Sequence, residues 1–350
     1  ECEVAALYAP YTLASELEKR GIRVHRLDLS HRWSIFEGTF KIVSLLRKGR
    51  YDVIHATLFF AGLYMALSRP FVQSSRRVIT FQIENFTGFP ANTIWKKFRK
   101  QIEKLFTRYW IDGHVAISTA VAQDYATHLE LPHIDVIHHS IPIDLLRPIQ
   151  NLERQEVLAR YGVDSNKFII IAPARLVPQK GHDILLQALE ILKEKGRLPC
   201  VLILGDGPLE NDIRHTVVTK QLSEQVVLHS AISNEELMPV VQASDMFVLP
   251  SIFEGFGVAP AEAMALERPV IASRVGGLME LIEDEVSGIL VPVGDASSLA
   301  DSIERLMADE LLRQKLGKAG RKRIETRFSV DVIADRYTNY YKAILAQNNG

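Results

Sequence analysis

The stretch Phe168-Ile169-Ile170-Ile171-Ala172-Pro173-Ala174-Arg175-Leu176-Val177-Pro178-Gln179-Lys180-Gly181 decides the fold. Its first five residues form a nearly continuous apolar run, the pattern of a strand buried on both faces. A loop carrying two cations follows directly. In an open parallel sheet, ligands bind at such loops, just beyond the C-terminal ends of strands. Further strand patterns follow at 201–204, 226–228, 246–249, 270–272 and 288–291, with helical intervals between them. The second half of the chain therefore reads as a doubly wound α/β domain.

Working back, the first half alternates in the same way. Strands are expected at 3–7, 24–27, 52–55, 77–81 and 113–117, and helices at 12–20, 36–48, 58–68, 93–109 and 118–129. Between about 142 and 166, Pro142, Pro148 and a polar run interrupt the periodicity, as an inter-domain linker would. The expected division is an N-terminal domain over 1–150, a C-terminal domain over 151–327, and a tail over 328–350. The amphipathic helix of that tail, bearing Tyr337, Tyr340, Tyr341 and Ile344, is expected to pack back on the first domain.

Composition narrows the function classes. The 350 residues are 47% hydrophobic and 24% charged, as in ordinary globular proteins. Forty-one basic residues face 42 acidic ones, which argues against a chain-wide grip on nucleic acid. Cys2 and Cys200 make neither a disulfide framework nor a zinc site. No apolar run approaches the roughly 18 residues of a membrane span.

Three clusters could carry chemistry. Arg175 and Lys180 suit a diphosphate, one as a fork of donors and the other as a compact charge; they could equally be solvated loop cations. Gly205-Asp206-Gly207-Pro208 lets a backbone approach a ligand, or is only a tight turn. The third runs from Pro250 to Ala265. Gly255 and Gly257 expose amides at an expected helix start. Glu254 and Glu262, seven residues apart, could accept bonds from sugar hydroxyls. Otherwise Glu254 caps the helix and Glu262 faces solvent, although a carboxylate in so apolar a segment needs a partner if buried.

Together with Val275-Gly276-Gly277-Leu278-Met279-Glu280, these motifs resemble the family 4 retaining glycosyltransferases of the GT-B fold. The resemblance implies an α/β chain of two Rossmann-like domains facing across a cleft, with a nucleotide-sugar on the second and the acceptor on the first. Glu254, Arg175 and Lys180 would form the catalytic group, the two cations holding the donor diphosphate. Gly205, Asp206, Gly207, Ile232, Gly255, Phe256, Gly257 and Glu262 would bind the donor. Glu262 would take the ribose hydroxyls, and 229–232 would border the base. On the acceptor side stand His55, Gln82 and Glu84. The implied reaction transfers a sugar, with UDP the expected carrier, with retention to a glycan or lipid-linked acceptor. No cofactor is expected, since the nucleotide-sugar is a co-substrate. No Asp-x-Asp occurs, so no metal is expected either. A role in polysaccharide or cell-envelope synthesis follows from the resemblance, as does a cytoplasmic location.

The first domain departs from the family pattern. Thr57 and Gln82 stand where histidines are common, and His138-His139-Ser140-Ile141-Pro142 replaces a familiar Pro-Asn-Gly-Ile-Asp. The family's opening strand and glycine-rich loop have no counterpart before Glu3, and the chain opens on Glu1. A sheet without its first strand would have a gap in its middle. The sequence is therefore expected to be a fragment, short by roughly 30 residues, about one strand-loop-helix unit.

One segment stands apart. From Trp95 to Arg108 the chain is basic and aromatic, with Phe98, Ile102, Leu105 and Phe106 expected on one face, flanked by Lys97, Lys100, Lys104 and Arg108. Such a helix can lie peripherally on an anionic membrane, or pack on the core with a cationic outer face. Two other functions share the fold: a nucleotide-sugar epimerase, and a partner subunit that binds nucleotide-sugar without turnover.

Overall fold

The computed structural model describes residues 2–83, 86, 94–146 and 148–347. The chain divides into two compact units. The first comprises Glu1–Ile117, Val121–Val136 and Thr338–Gly350, and the second Ser118–Ala120 and Ile137–Tyr337.

In the first unit, strand β1 (Glu3–Ala6) pairs in parallel with β2 (Arg23–Arg26). A separate parallel sheet runs β3 (Val53–Thr57), β4 (Arg76–Phe81), β5 (Gly113–Ala116) and β6 (Asp135–Val136) in that order. Among the described residues no backbone ladder joins the β1–β2 pair to β3. β4 is the most deeply buried of these strands, with its last five residues inside.

The second unit has one continuous sheet. It contains β7 (Ile169–Pro173), β8 (Cys200–Leu204), β9 (Val226–His229), β10 (Met246–Leu249), β11 (Val270–Ser273) and β12 (Ile289–Val291). The order is β12-β11-β10-β7-β8-β9, all parallel. Read from β9, that is the doubly wound 3-2-1-4-5-6. β7 lies at the centre, with all five residues buried, which is why its sequence does not alternate. Helix His182–Glu194 packs Leu185, Leu186, Leu189 and Leu192 into this core, and helix Ala296–Ala308 packs Leu299, Ala300, Ile303 and Leu306. Both sets follow helical spacing. Side chains of Ser233, Asp295 and Asp309 cap helix starts in this unit, each cap being worth about 1 kcal/mol.

The units change over earlier than the proline-rich stretch suggests. Residues 137–150 were expected with the first domain and cluster with the second. The Ile141 amide donates to the Phe328 carbonyl at 2.7 Å. Arg321 donates to the Leu146 carbonyl at 2.9 Å, and the Gln242 side chain bonds both backbone groups of Ile149. These bonds hold an otherwise irregular stretch. The tail is also divided. Helix Val330–Ala346 belongs to the second unit up to Tyr337 and to the first from Thr338.

Within the first unit, that last stretch is held by β3 and β5. Gly113 leaves no room for a Cβ beside Tyr340 and Ile344. The Tyr341 hydroxyl bonds His55 Nδ1 at 2.6 Å, and His55 Nε2 bonds the Thr80 hydroxyl at 2.6 Å. Burial pushes the His55 pKa down to about 4, so the folded ring stays neutral where an unfolded one would charge, from about 6.5 downward. Below that pH the unfolded state binds the extra proton, so stability falls as pH falls from 6.5 to 4. The loss attributable to His55 is up to roughly 3 kcal/mol. Denaturant unfolding of His55→Gln should show a shallower acid slope over that window than the parent. An unchanged slope would show that His55 is not the titrating group.

Candidate active site

Chain direction away from β7 reverses between its two neighbours. β8 follows it on one side, and β10 lies on the other. A crevice opens at such a point beyond the strands' C-terminal ends. Two of the sequence clusters leave β7 and β10 there, and the structure laces them together. Ile252 N donates to the Gln179 carbonyl at 2.8 Å, and Gln179 Nε2 to the Phe253 carbonyl at 3.0 Å. Lys180 Nζ meets Glu254 Oε2 at 2.5 Å, each side chain only 14% exposed. Arg175 stays exposed on the rim, with its guanidinium 3.5 Å from Gln179 Oε1.

The glycine cluster closes on the same loop. Leu176 N donates to the Asp206 carbonyl at 2.9 Å, and Leu209 N to the Leu176 carbonyl at 3.1 Å. A Cβ on Gly205 would run into the Ala174 carbonyl, and one on Gly207 into that of Leu176. Gly277 abuts Gly255 in the same way, and its amide donates to the Glu254 carbonyl at 2.9 Å. These glycines are needed because backbone packs on backbone. Gly257, at φ +98°, turns the chain into helix Val258–Ala265. Gly255 and Phe256 are buried just before that helix, whose first amides carry a partial positive charge.

Glu262 projects from this helix, half-buried, and accepts from Asn234 Nδ2 at 3.4 Å. Burial pushes its pKa up, and the Asn234 bond opposes that. Asp206 Oδ1 accepts from the Ala231 amide at 3.2 Å, which ties the glycine cluster to the stretch holding the half-buried Ile232. Carboxylates, cations and close backbone therefore line one end of one sheet. That set can bind an anion beside a polyhydroxylated group.

Comparison with known proteins agrees with this arrangement. Residues 153–323 match the family described as Glycosyl transferases group 1, and residues 3–145 match Glycosyltransferase Family 4. The protein named "Putative glycosyltransferase EpsD" of Bacillus subtilis (strain 168) is 32% identical over 302 residues, covering 83% of this chain and 77% of that protein. The chain belongs to the family 4 glycosyltransferases. The uncharacterized glycosyltransferase MJ1607 of Methanocaldococcus jannaschii is 28% identical over 97% of this chain and 89% of its own. Among solved structures, Anabaena Alr3699/HepE in complex with UDP-glucose aligns with a TM-score of 0.81 at 21% identity, over 97% of this chain and 91% of that one. The fold is GT-B, built of two Rossmann-like domains.

Of the residues expected on the acceptor side of this glycosyltransferase, His55 bonds Tyr341 and Thr80 through its two ring nitrogens. Gln82 follows β4, half-buried, and Glu84 lies outside the described residues. Two contributors have no role assigned from the sequence. Asn234 begins a helix whose start is marked by the Ser233/Glu236 capping box, and only the fold brings it to Glu262. The second is the pair His138–Glu280, bonded at 2.9 Å. Glu280 also accepts from the amide and hydroxyl of Thr119. Burial pushes the Glu280 carboxyl up, but the bonds from His138 and Thr119 outweigh it and hold the pKa below the usual range. The His138 ring packs on Phe256 and Phe328, steadying the loop that carries Glu254. Replacing Gly205 with alanine should force the two loops apart and cost on the order of 1–3 kcal/mol. Thermal unfolding should show a lowered midpoint; an unchanged one would mean the loops are not packed as described.

Proposed function

We propose that this glycosyltransferase is a retaining, metal-independent enzyme that takes its sugar from UDP. The observation that carries the reading is the Lys180–Glu254 contact at the sheet's switch point. A cation that would hold phosphate and a carboxylate that would hold sugar hydroxyls sit side by side there. The UDP-glucose complex of a structural neighbour supports the choice of nucleotide.

In this reading Arg175 and Lys180 receive the diphosphate. An arriving phosphate competes with Glu254 for the Lys180 ammonium, and the freed carboxylate turns to the sugar hydroxyls. Amides at Gly255, Phe256 and Gly257 lie near the sugar and phosphates. Gly205, Asp206 and Gly207 form the close floor, Ile232 borders the base, and Glu262 accepts from the ribose. The bond from the anomeric carbon to the phosphate oxygen breaks, and one to the acceptor oxygen forms on the same face. The acceptor proton passes to the departing diphosphate, leaving UDP and a glycoside. The placed cations stabilise the charge that develops as the diphosphate leaves. The acceptor, a hydroxyl of a glycan or lipid-linked sugar, is carried by the family resemblance, as is a role for Gln82 near the reacting sugar.

Donor turnover and anomeric configuration, followed by NMR with UDP-glucose and other UDP-sugars, test the reading. Glu254→Gln and Lys180→Ala should each lower turnover by about 100- to 1000-fold, the usual loss for one preorganised group. Near-parental rates in both would overturn the assignment, and tight UDP binding without turnover would favour the partner-subunit alternative. EDTA should leave the rate unchanged. Loss with EDTA and rescue by Mn²⁺ would contradict metal independence.

A further inference from the structure

We infer that the helix Ile94–Trp110 of the first unit is a docking surface for an anionic lipid bilayer. This rests on its surface alone and not on the donor-site reading. The sequence pattern places Phe98, Ile102, Leu105 and Phe106 on one face, and the structure divides that set. Phe106 is 3% exposed and packs against Phe59, while Ile102 is half-buried. Ile94, Phe98, Leu105 and Tyr109 are instead 79%, 58%, 58% and 65% exposed. At 3.6 residues per turn these four fall within an arc of about 60°. They form a continuous apolar stripe roughly 22 Å long on the outside of the molecule.

The charges around the stripe select its occupant. By sequence the helix carries Lys96, Lys97, Arg99, Lys100, Lys104 and Arg108 against one acid, Glu103. Glu103 is buried and lies 4.0 Å from Arg99; Arg99 in turn lies over the Phe59 ring. From a neighbouring element, Glu130 pairs with Lys104 at 2.5 Å and lies 3.9 Å from Arg108. Lys97 is exposed on the flank of the stripe, and Lys100 lies over Phe86. The face stays strongly cationic after these pairs are counted. A second copy docking about a two-fold axis would bring cations against cations. An anionic bilayer satisfies both halves of the surface: the stripe enters the acyl boundary, and the lysines stay at the phosphates. No helix among the described residues is long and apolar enough to cross a membrane, so the contact is a surface one.

Flotation of the full chain with vesicles of phosphatidylcholine, with and without phosphatidylglycerol, tests this. Binding should require phosphatidylglycerol and weaken with salt. Phe98→Ser with Leu105→Ser should lower the partition at least tenfold, as expected for burial of two large apolar groups. Lys97→Gln should lower it about fivefold. Leu311→Ser, which replaces an exposed leucine of the second unit, should change nothing, with circular dichroism confirming the fold of each variant. The proposal falls if the parent ignores phosphatidylglycerol vesicles at low salt, or if the double variant binds as the parent does. It also falls if the parent is a dimer in solution that the double variant dissociates.

Discussion

The constraint on which the rest depends is the position of β7 at the centre of the second sheet. Five apolar residues, buried on both faces, leave no room for chemistry within the strand. Everything polar is displaced to the loop after it. Because β10 lies on the side away from β8, the loops after β7 and β10 flank a crevice that no crossover helix covers. Lys180 and Glu254 meet there because strand order brings their loops together, although 73 residues lie between them in the chain. Neither would be stable at 14% exposure alone, since a charge withdrawn from water needs an opposite one or a ligand.

Backbone packing then sets how precisely the site is held. Gly205 and Gly207 let the loop after β8 lie against the loop after β7, and Gly277 lets the loop after β11 lie against the loop after β10, backbone against backbone. The Ile252 amide and the Gln179 side chain join the two pairs across β7 and β10. Glu280 and His138 extend that packing by holding the Phe256 ring from behind. Preorganisation of this kind is what electrostatic catalysis requires, because donors that must be reoriented during reaction lose much of their effect.

Much of this was legible in the sequence, for identifiable reasons. The strands of the second unit are short and apolar, and all but β9 adjoin or end on a glycine or proline, so pattern alone locates them within a residue or two. The three clusters singled out in the sequence follow β7, β8 and β10, so locating the strands locates the clusters. What stayed hidden depends on three-dimensional partners. The changeover at 136–137 depends on Ile141 bonding Phe328 and on Gln242 bonding Ile149, and no local signal reports such contacts. The pattern of the helix Ile94–Trp110 leaves its orientation open because its apolar residues span an arc of about 160°, and the contact of Phe106 with Phe59 shows which part of that arc faces inward. His55 reads as a site residue by motif, yet its ring nitrogens bond Thr80 and Tyr341, the latter 286 residues away.

The central claim is that UDP binds at the C-terminal ends of β7, β8 and β10. Hydrogen–deuterium exchange of the full chain with and without UDP tests it most directly. The account predicts slowed exchange in 175–181, 205–208, 229–234 and 250–262, with the rest of the second unit's sheet unchanged. Protection confined to the first unit, or none at saturating UDP, would contradict it.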